Sequence, residues 1–338
     1  MNSSSVEISS MLPNQSSESC SAETVVENIV FGGLYIVVFL LALTGNGLAL
    51  WIFSRQHGTT SPSNVFLLHL AIADLSYVAI LPLRAAYHLT GGHWPFGEVP
   101  CRVVGFLFYV NMYASIYFLA CVAGDRYLAV VHAVRSLKIR QSRYAHTVSL
   151  LLWILVTVSM APLLATRQTI QKDNLTVCLQ LYREKTSHRA LVSIAVAFTP
   201  PFLVTLVCYL LIVHSLRQGI RLETGLKSKA LRTIGLVLLI YLVCFLPYHV
   251  SRVIYIVVHG HPGVSCQTKR ALMLGNRLTS SLTCLNGALD PLVYLFGAEK
   301  FRDVFWQMLC GKKAGCSGAA SGEAKTTHES SLSAKSEF

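Results

Sequence analysis

Six polar side chains interrupt stretches that are otherwise apolar: Asn46, Asp74, Asn111, Ser115, Asn286 and Asp290. A polar group inside a bilayer costs several kcal/mol unless it finds a partner, so each is informative. An isolated carboxylate there must either be neutralised or meet a cation. Asp74 and Asp290, set among the oxygens of Asn111, Ser115 and Asn286, supply the donor set of a hard-cation site. The same residues would equally form a protonated, hydrogen-bonded core network. Both readings stay open at this stage.

A second set carries positive charge. Arg84, Arg252 and Arg277 fall toward the outer ends of apolar runs, and Arg183, Lys185 and Arg189 cluster in and after a polar connection. Phe245, Tyr248 and Arg252 stand at i, i+3 and i+7, so one helix face carries two aromatic rings beneath a guanidinium. Tyr87, Tyr109, Tyr113 and His249 would add further walls. Arginine held inside a helical bundle suits bidentate recognition of carboxylate or phosphate. The expectation is an anionic ligand with an apolar or aromatic body. The alternative is that these arginines reach out to lipid headgroups or pair with Asp173, Glu184 or Glu98.

The elements that position these groups are helices of membrane length. Of 338 residues, 53% are hydrophobic and only 13% charged, which excludes a disordered chain and an ordinary soluble domain. The net charge of +12 resides in short segments between apolar runs, so it reports membrane orientation rather than a nucleic-acid partner. Apolar runs recur near 29–54, 64–90, 100–124, 146–166, 189–216, 231–258 and 271–296. Their length and continuity exclude a closed β-barrel and predict an all-α bundle of seven transmembrane helices. No cleavable signal peptide is visible in the polar, Ser-rich start, so the first run is expected to act as its own insertion signal.

No Lys or Arg precedes Arg55, just past the first run. That asymmetry predicts an extracellular N-terminus and, after seven spans, a cytosolic C-terminus in a multi-pass plasma-membrane protein. The expected layout is a glycosylated tail over 1–28, the membrane domain over 29–297, an amphipathic membrane-surface helix over 298–311 and a disordered tail over 312–338. Sequons stand at Asn2, Asn14 and Asn174. In the surface helix Phe301, Val304, Phe305 and Met308 share one face. Cys310, followed by two lysines, reads either as a palmitoylation site or as a free cytosolic thiol.

The stretch Cys101–Tyr127 ties the two membrane faces together. Val103–Gly124 lacks any charged residue, and at about 1.5 Å per residue Cys101 and Arg126 stand roughly 37 Å apart, more than the roughly 30 Å hydrocarbon core. Pro82, Pro162, Pro200, Pro201, Pro247 and Pro291 mark places where helices bend.

Taken in order, Gly45-Asn46, Leu70 with Asp74, Cys101, Asp125-Arg126-Tyr127, Trp153, Pro201 with Tyr209, Phe245-Leu246-Pro247 and Asp290-Pro291 with Tyr294 fall across the seven runs in register. This pattern resembles the rhodopsin-like (class A) G-protein-coupled receptors, over about residues 29–310. The stretches His93–Glu98, Phe106–Leu119, Cys178–Lys185 and Phe245–His249 are similar to the purinergic nucleotide and cysteinyl leukotriene cluster of that family.

The resemblance implies disulfides Cys101–Cys178 and Cys20–Cys266, with Cys121, Cys208, Cys244 and Cys284 left as packing residues. It implies that Arg252 contacts ligand. It implies that activation swings the inner end of the sixth helix outward to admit a heterotrimeric G protein, with the inhibitory class favoured. Arg126 would be held by Asp125 at rest and turn toward Tyr209 and Tyr294 when active. Asp125, Arg126, Tyr127, Tyr209, Phe245, Pro247, Asp290, Pro291 and Tyr294 form the implied coupling set.

Four departures from the family pattern matter. Phe245 stands where many relatives carry tryptophan, and Asp290 replaces an asparagine. Lys227 occupies the region where some relatives place an acid that latches Arg126, which predicts measurable ligand-free signalling. Ala133 replaces a proline. The tail offers Thr326, Thr327, Ser330, Ser331 and Ser333 to kinases and hence arrestin, and ends in Ser336-Glu337-Phe338, a short ligand for PDZ domains.

Competing functions lack their residues. A retinal protein needs a lysine midway along the seventh helix, where the nearest is Lys269 at its outer mouth. No H-E-x-x-H and no nucleophile–base pair is present, so no enzymatic activity is expected. No internal repeat suggests a transporter. A largely ligand-independent receptor is the remaining alternative.

Overall fold

A computed structural model of the chain describes residues 24–55, 61–172, 175–179, 188–218, 224–259 and 263–310. Helices dominate because an apolar chain in hydrocarbon has to satisfy its backbone within each segment. The first helix is Val25–Ser54, opened by a capping box in which Thr24 and Glu27 satisfy each other's backbone N–H. The second spans Pro62–Leu89 in two segments, Pro62–Val78 and Leu81–Leu89, and the break precedes Pro82, as expected of a residue without an N–H. The third, Glu98–Val131, runs 34 residues. The fourth, Ser142–Met160, continues through a short segment beginning at Pro162.

The fifth helix, His188–Arg217, carries Pro200 and Pro201 inside it without a break. The sixth covers 224–259, with a wider turn at Tyr241–Phe245 between Thr224–Ile240 and Leu246–His259. Pro247 lies just beyond that turn and leaves the Val243 carbonyl without its usual donor, which is where a helix loosens. The seventh is Cys266–Gly297, and the eighth, Glu299–Cys310, follows after one residue.

Six of these helices are long and apolar enough to cross a membrane among the described residues. The seventh is long enough, but Arg277, Asn276, Ser280, Asn286 and Asp290 lower its hydropathy, because this helix faces its neighbours rather than lipid. The spans expected from sequence hold, with corrected ends. The third helix carries the Asp125–Tyr127 triplet as expected and extends past it to Val131, and the sixth begins at Thr224 rather than near 231.

The outer face carries an antiparallel hairpin, β1 (Thr169–Lys172) with β2 (Leu175–Cys178), in register Thr169 opposite Cys178. Cys178 is disulfide-bonded to Cys101 at the top of the third helix. Glu98 reinforces the junction: it accepts from the backbone N–H of Gln168 (2.7 Å) and Thr169 (2.9 Å) and pairs with Arg102 at 2.7 Å. Cys266 is also disulfide-bonded; its expected partner, Cys20, lies outside the described residues, as do Asn2, Asn14, Asn174, Arg183, Lys185 and the tail beyond Cys310. Cys121, Cys208, Cys244 and Cys284 are free thiols.

At the centre, the first and seventh helices approach so closely that a Cβ on Gly45 would collide with the ring of Pro291. Asn46 beside it donates to the carbonyls of Ala42 (2.9 Å) and Gly287 (2.7 Å) and accepts from the Tyr294 hydroxyl at 2.8 Å. Around this seam the core is continuous, with Leu67, Leu70, Phe118, Tyr241, Phe245, Tyr294 and Phe301 buried.

Candidate functional site

Three layers of polar chemistry lie along the bundle. In the outer half, Arg84, Arg252 and Arg277 are 1%, 3% and 4% exposed, which rules out reaching for headgroups. Arg84 sits where the second helix resumes after its break. Its Nη1 donates to the Tyr77 hydroxyl at 2.6 Å and lies 3.5 Å from the Cys284 thiol. Its guanidinium rests 4.6 Å from the Phe108 ring centroid and 5.6 Å from that of Tyr35, both within cation–π range. Arg277 turns to the first helix: it donates to Asn28 (3.4 Å), lies 3.7 Å from Glu27 and stacks over Phe31 at 5.5 Å. Arg252, one turn above Tyr248, lies 5.3 Å from the Tyr255 ring.

The expected aromatic walls are assembled between the third, fifth and sixth helices. The Tyr248 hydroxyl donates to Tyr109 at 3.3 Å, and the Tyr113 and His249 rings are 6.0 Å apart. His249 stacks on Phe198 with centroids 4.0 Å apart, while its Nδ1 bonds the Phe245 carbonyl at 2.7 Å. Tyr87 packs instead against Trp94 and His88, nearer the first helix. Phe108 links the two clusters, touching Arg84 on one side and Tyr248 at 5.8 Å on the other. The expected pocket residues thus form two adjoining groups.

The three carboxylates raised as partners for these arginines meet different ends. Glu98 is engaged with Arg102 and the hairpin, so it does not neutralise them. Asp173 and Glu184 lie outside the described residues. Among the described residues the carboxylate that pairs is Glu27, with Arg277; Thr24-x-x-Glu27 marks a helix start in the sequence but not the helix that lies beside it. Tyr35, Tyr77, Phe108 and Phe198 were missed, being indistinguishable from ordinary core aromatics.

In the middle layer Asp74 (1% exposed) accepts from Asn111 at 2.9 Å, and at longer range from Asn286 (3.4 Å) and Ser115 (3.5 Å). Asp290 lies in electrostatic contact with Asp74. Asp74 Oδ2, both Asp290 oxygens and Asn286 Oδ1 are buried without a hydrogen-bond donor. Four orphaned oxygens in one place have the chemistry to fit a hard cation.

The inner layer departs from expectation. Asp125 does not hold Arg126. It takes a two-pronged contact from Arg140, Nε to Oδ1 at 2.8 Å and Nη2 to Oδ2 at 3.2 Å, and a hydrogen bond from Ser63. The reason is geometric: a guanidinium fork from the second inner connection matches the carboxylate edge, while the next residue points about 100° further round the helix. Arg126 therefore faces the seventh helix and donates Nη2 to the Gly297 carbonyl at 3.0 Å. The Tyr294 hydroxyl, which the resemblance brings toward Arg126 only in the active state, is engaged by Asn46. Tyr127 bonds His132, and Tyr209 packs half-buried beside Ala123 and Ile212.

Seven membrane-length helices, a disulfide-tethered outer hairpin and a polar seam leading to an inner Asp-Arg-Tyr triplet define a heptahelical receptor. Residues 45–294 match the family model of the 7 transmembrane receptor (rhodopsin family), and the chain belongs to that family, one of receptors rather than enzymes. It is 58% identical to the human uracil nucleotide/cysteinyl leukotriene receptor over 321 residues, 95% of this chain and 87% of that one. It is 35% identical to human cysteinyl leukotriene receptor 2, covering 88% of each chain. It is also 37% identical to a rat purinoceptor, over 79% of this chain and 73% of that one.

Proposed function

We propose that this receptor recognises an anionic extracellular ligand, a nucleotide or a leukotriene-like lipid, and signals through a heterotrimeric G protein of the inhibitory class. The observation that carries this reading is the burial of Arg84 and Arg252 against aromatic rings inside the bundle. Guanidinium groups there favour phosphate or carboxylate, and the rings of Tyr109, Tyr113, Tyr248 and His249 suit a base or an acyl chain. The printed names of the relatives, uracil nucleotide and cysteinyl leukotriene, describe ligands of that chemistry. The Cys101–Cys178 bond supports an extracellular outer face at the plasma membrane, since disulfides persist in oxidising surroundings. Arrestin at the phosphorylatable tail and a PDZ protein at its end complete the proposed partners.

Sodium, held by Asp74, Asn111, Ser115, Asn286 and Asp290, would neutralise one of the two carboxylates and leave the other to be protonated. With or without it, these residues draw the second, third and seventh helices together.

The experiment is G-protein activation in cells expressing the receptor or Arg252→Ala, without ligand and with uridine nucleotides and leukotrienes. Loss of the anion response in the variant, at equal surface expression and unchanged basal signalling, supports the assignment. An equal response in both sinks it. A second reading, a largely ligand-independent receptor, is favoured by one contact: Glu27 already supplies a carboxylate to Arg277 from within the chain. High basal signalling that no anion alters would support that reading.

A further inference from the structure

The expected acid on the sixth helix is absent, Lys227 standing in its place, yet that helix is fastened at its inner end. Lys229, two residues on, places Nζ 2.7 Å from Glu299 Oε1. Glu299 opens the eighth helix, two residues beyond Gly297, whose carbonyl receives Arg126. Gly297 packs tightly between neighbours: a Cβ added there would lie 3.3 Å from Leu67 of the second helix and 3.8 Å from Thr233 of the sixth. The short turn 297–299 thus touches the second, third and sixth helices at once. Glu299 is also within electrostatic reach of Arg126.

We propose that the Lys229–Glu299 pair is a catch holding the inner end of the sixth helix to the membrane-surface helix, with Glu299 a positioning residue for the turn that binds Arg126. Its polarity, a base on the sixth helix and an acid outside it, is the reverse of the latch whose absence the sequence suggested. Outward movement of the sixth helix lengthens this ion pair before it disturbs the buried Asp125–Arg140 contact, which joins the third helix to the inner connection and leaves the sixth free. The Glu299 side chain is 66% exposed, so water replaces the partner readily and the catch opens at small cost. The Arg126–Gly297 contact opens with it, because both depend on where that turn sits. This inference rests on the receptor reading and not on any ligand.

The test uses the full-length receptor in cells at matched surface expression, reading basal G-protein activation for Lys229→Glu, Glu299→Lys and the double exchange. Each single variant places like charges together and should raise basal signalling about two- to fivefold, the range a surface ion pair supplies. The exchange restores the attraction and should return signalling toward the parent. Lys300→Gln, an exposed charge loss in the same helix, should change nothing. Because Glu299→Lys can also weaken G-protein contact directly, a spin-label distance is measured in nanodiscs, without G protein, between Arg232→Cys and Asp303→Cys. That distance should lengthen in both single variants and shorten again in the exchange. Unchanged distances, or an exchange that adds the two single effects, would overturn the catch. A normal distance pattern with no signalling in any variant would instead indict the G-protein reading.

Discussion

The two ends of the bundle handle charge in opposite ways. Outside, three arginines lie buried among aromatic rings, and the carboxylate seen with them in the described residues, Glu27, serves Arg277 from the first helix. Inside, the buried Asp125 takes Arg140, while Lys229 meets Glu299 at the water boundary, 21% and 66% exposed. Buried charge is expensive and is kept where it recognises something. Pairs at the water boundary are inexpensive to form and to break, which suits parts that must move. On the proposed reading the outer half binds and the inner half switches, with the Asp74–Asp290 seam between them.

Several substitutions would break or sharpen this contrast. The largest effect is expected from Cys101→Ser. Releasing the hairpin that roofs the outer half should cost about 2–5 kcal/mol and strongly reduce surface expression, as measured by flow cytometry. Next, Gly45→Ala drives a methyl into Pro291 at the seam, and overpacking of about 1–3 kcal/mol should lower the thermal midpoint in detergent. Arg140→Ala leaves Asp125 buried with Ser63 as its remaining donor, at about 1–3 kcal/mol. Because the pair does not bind Arg126, basal signalling should change less than the midpoint; a large gain in signalling would restore Asp125 as the holder of Arg126. Arg126→Ala should abolish ligand-free signalling, and comparable basal activity in parent and variant would contradict the role of that residue.

The smallest effect concerns pH. The hydrogen bond and charge of Lys229, opposed by slight burial and aided by Arg302 and Arg126, hold the Glu299 carboxyl below its usual range. Its folded value is thus depressed, so the contribution of the pair is fully present above the ordinary carboxylate value of about 4.3 and is lost as pH falls through the lowered one. The difference in thermal midpoint between parent and Glu299→Gln should stay constant from neutral pH down to that point and shrink below it. A difference that fades near neutrality would mean the pair is not formed.

Much of this architecture was legible in the residues. Continuous apolar runs leave a chain in hydrocarbon with one solution, so the seven spans, the break before Pro82 and the loosened turn before Pro247 could be anticipated. The aromatic face below Arg252 follows from helical spacing. The partners of the charges were not legible. Glu27 is 250 residues from Arg277, and Glu299 is 70 from Lys229. Which groups meet across such separations depends on how each helix is rotated about its axis, and a shift of one residue turns a side chain by about 100°. Asp125 and Arg126 illustrate this: adjacent in sequence, they serve different helices.

The most direct test of the central claim, that the buried outer arginines form an anion-recognising pocket, is equilibrium binding to purified receptor in nanodiscs. Uridine diphosphate and a cysteinyl leukotriene would be titrated into the parent, Arg252→Ala and Arg252→Lys. The account predicts saturable binding of at least one anion to the parent, loss of tenfold or more in the alanine variant, as about 1.4 kcal/mol implies, and partial recovery with lysine. Equal affinity in all three proteins, or no binding of either anion to a folded parent, would contradict it.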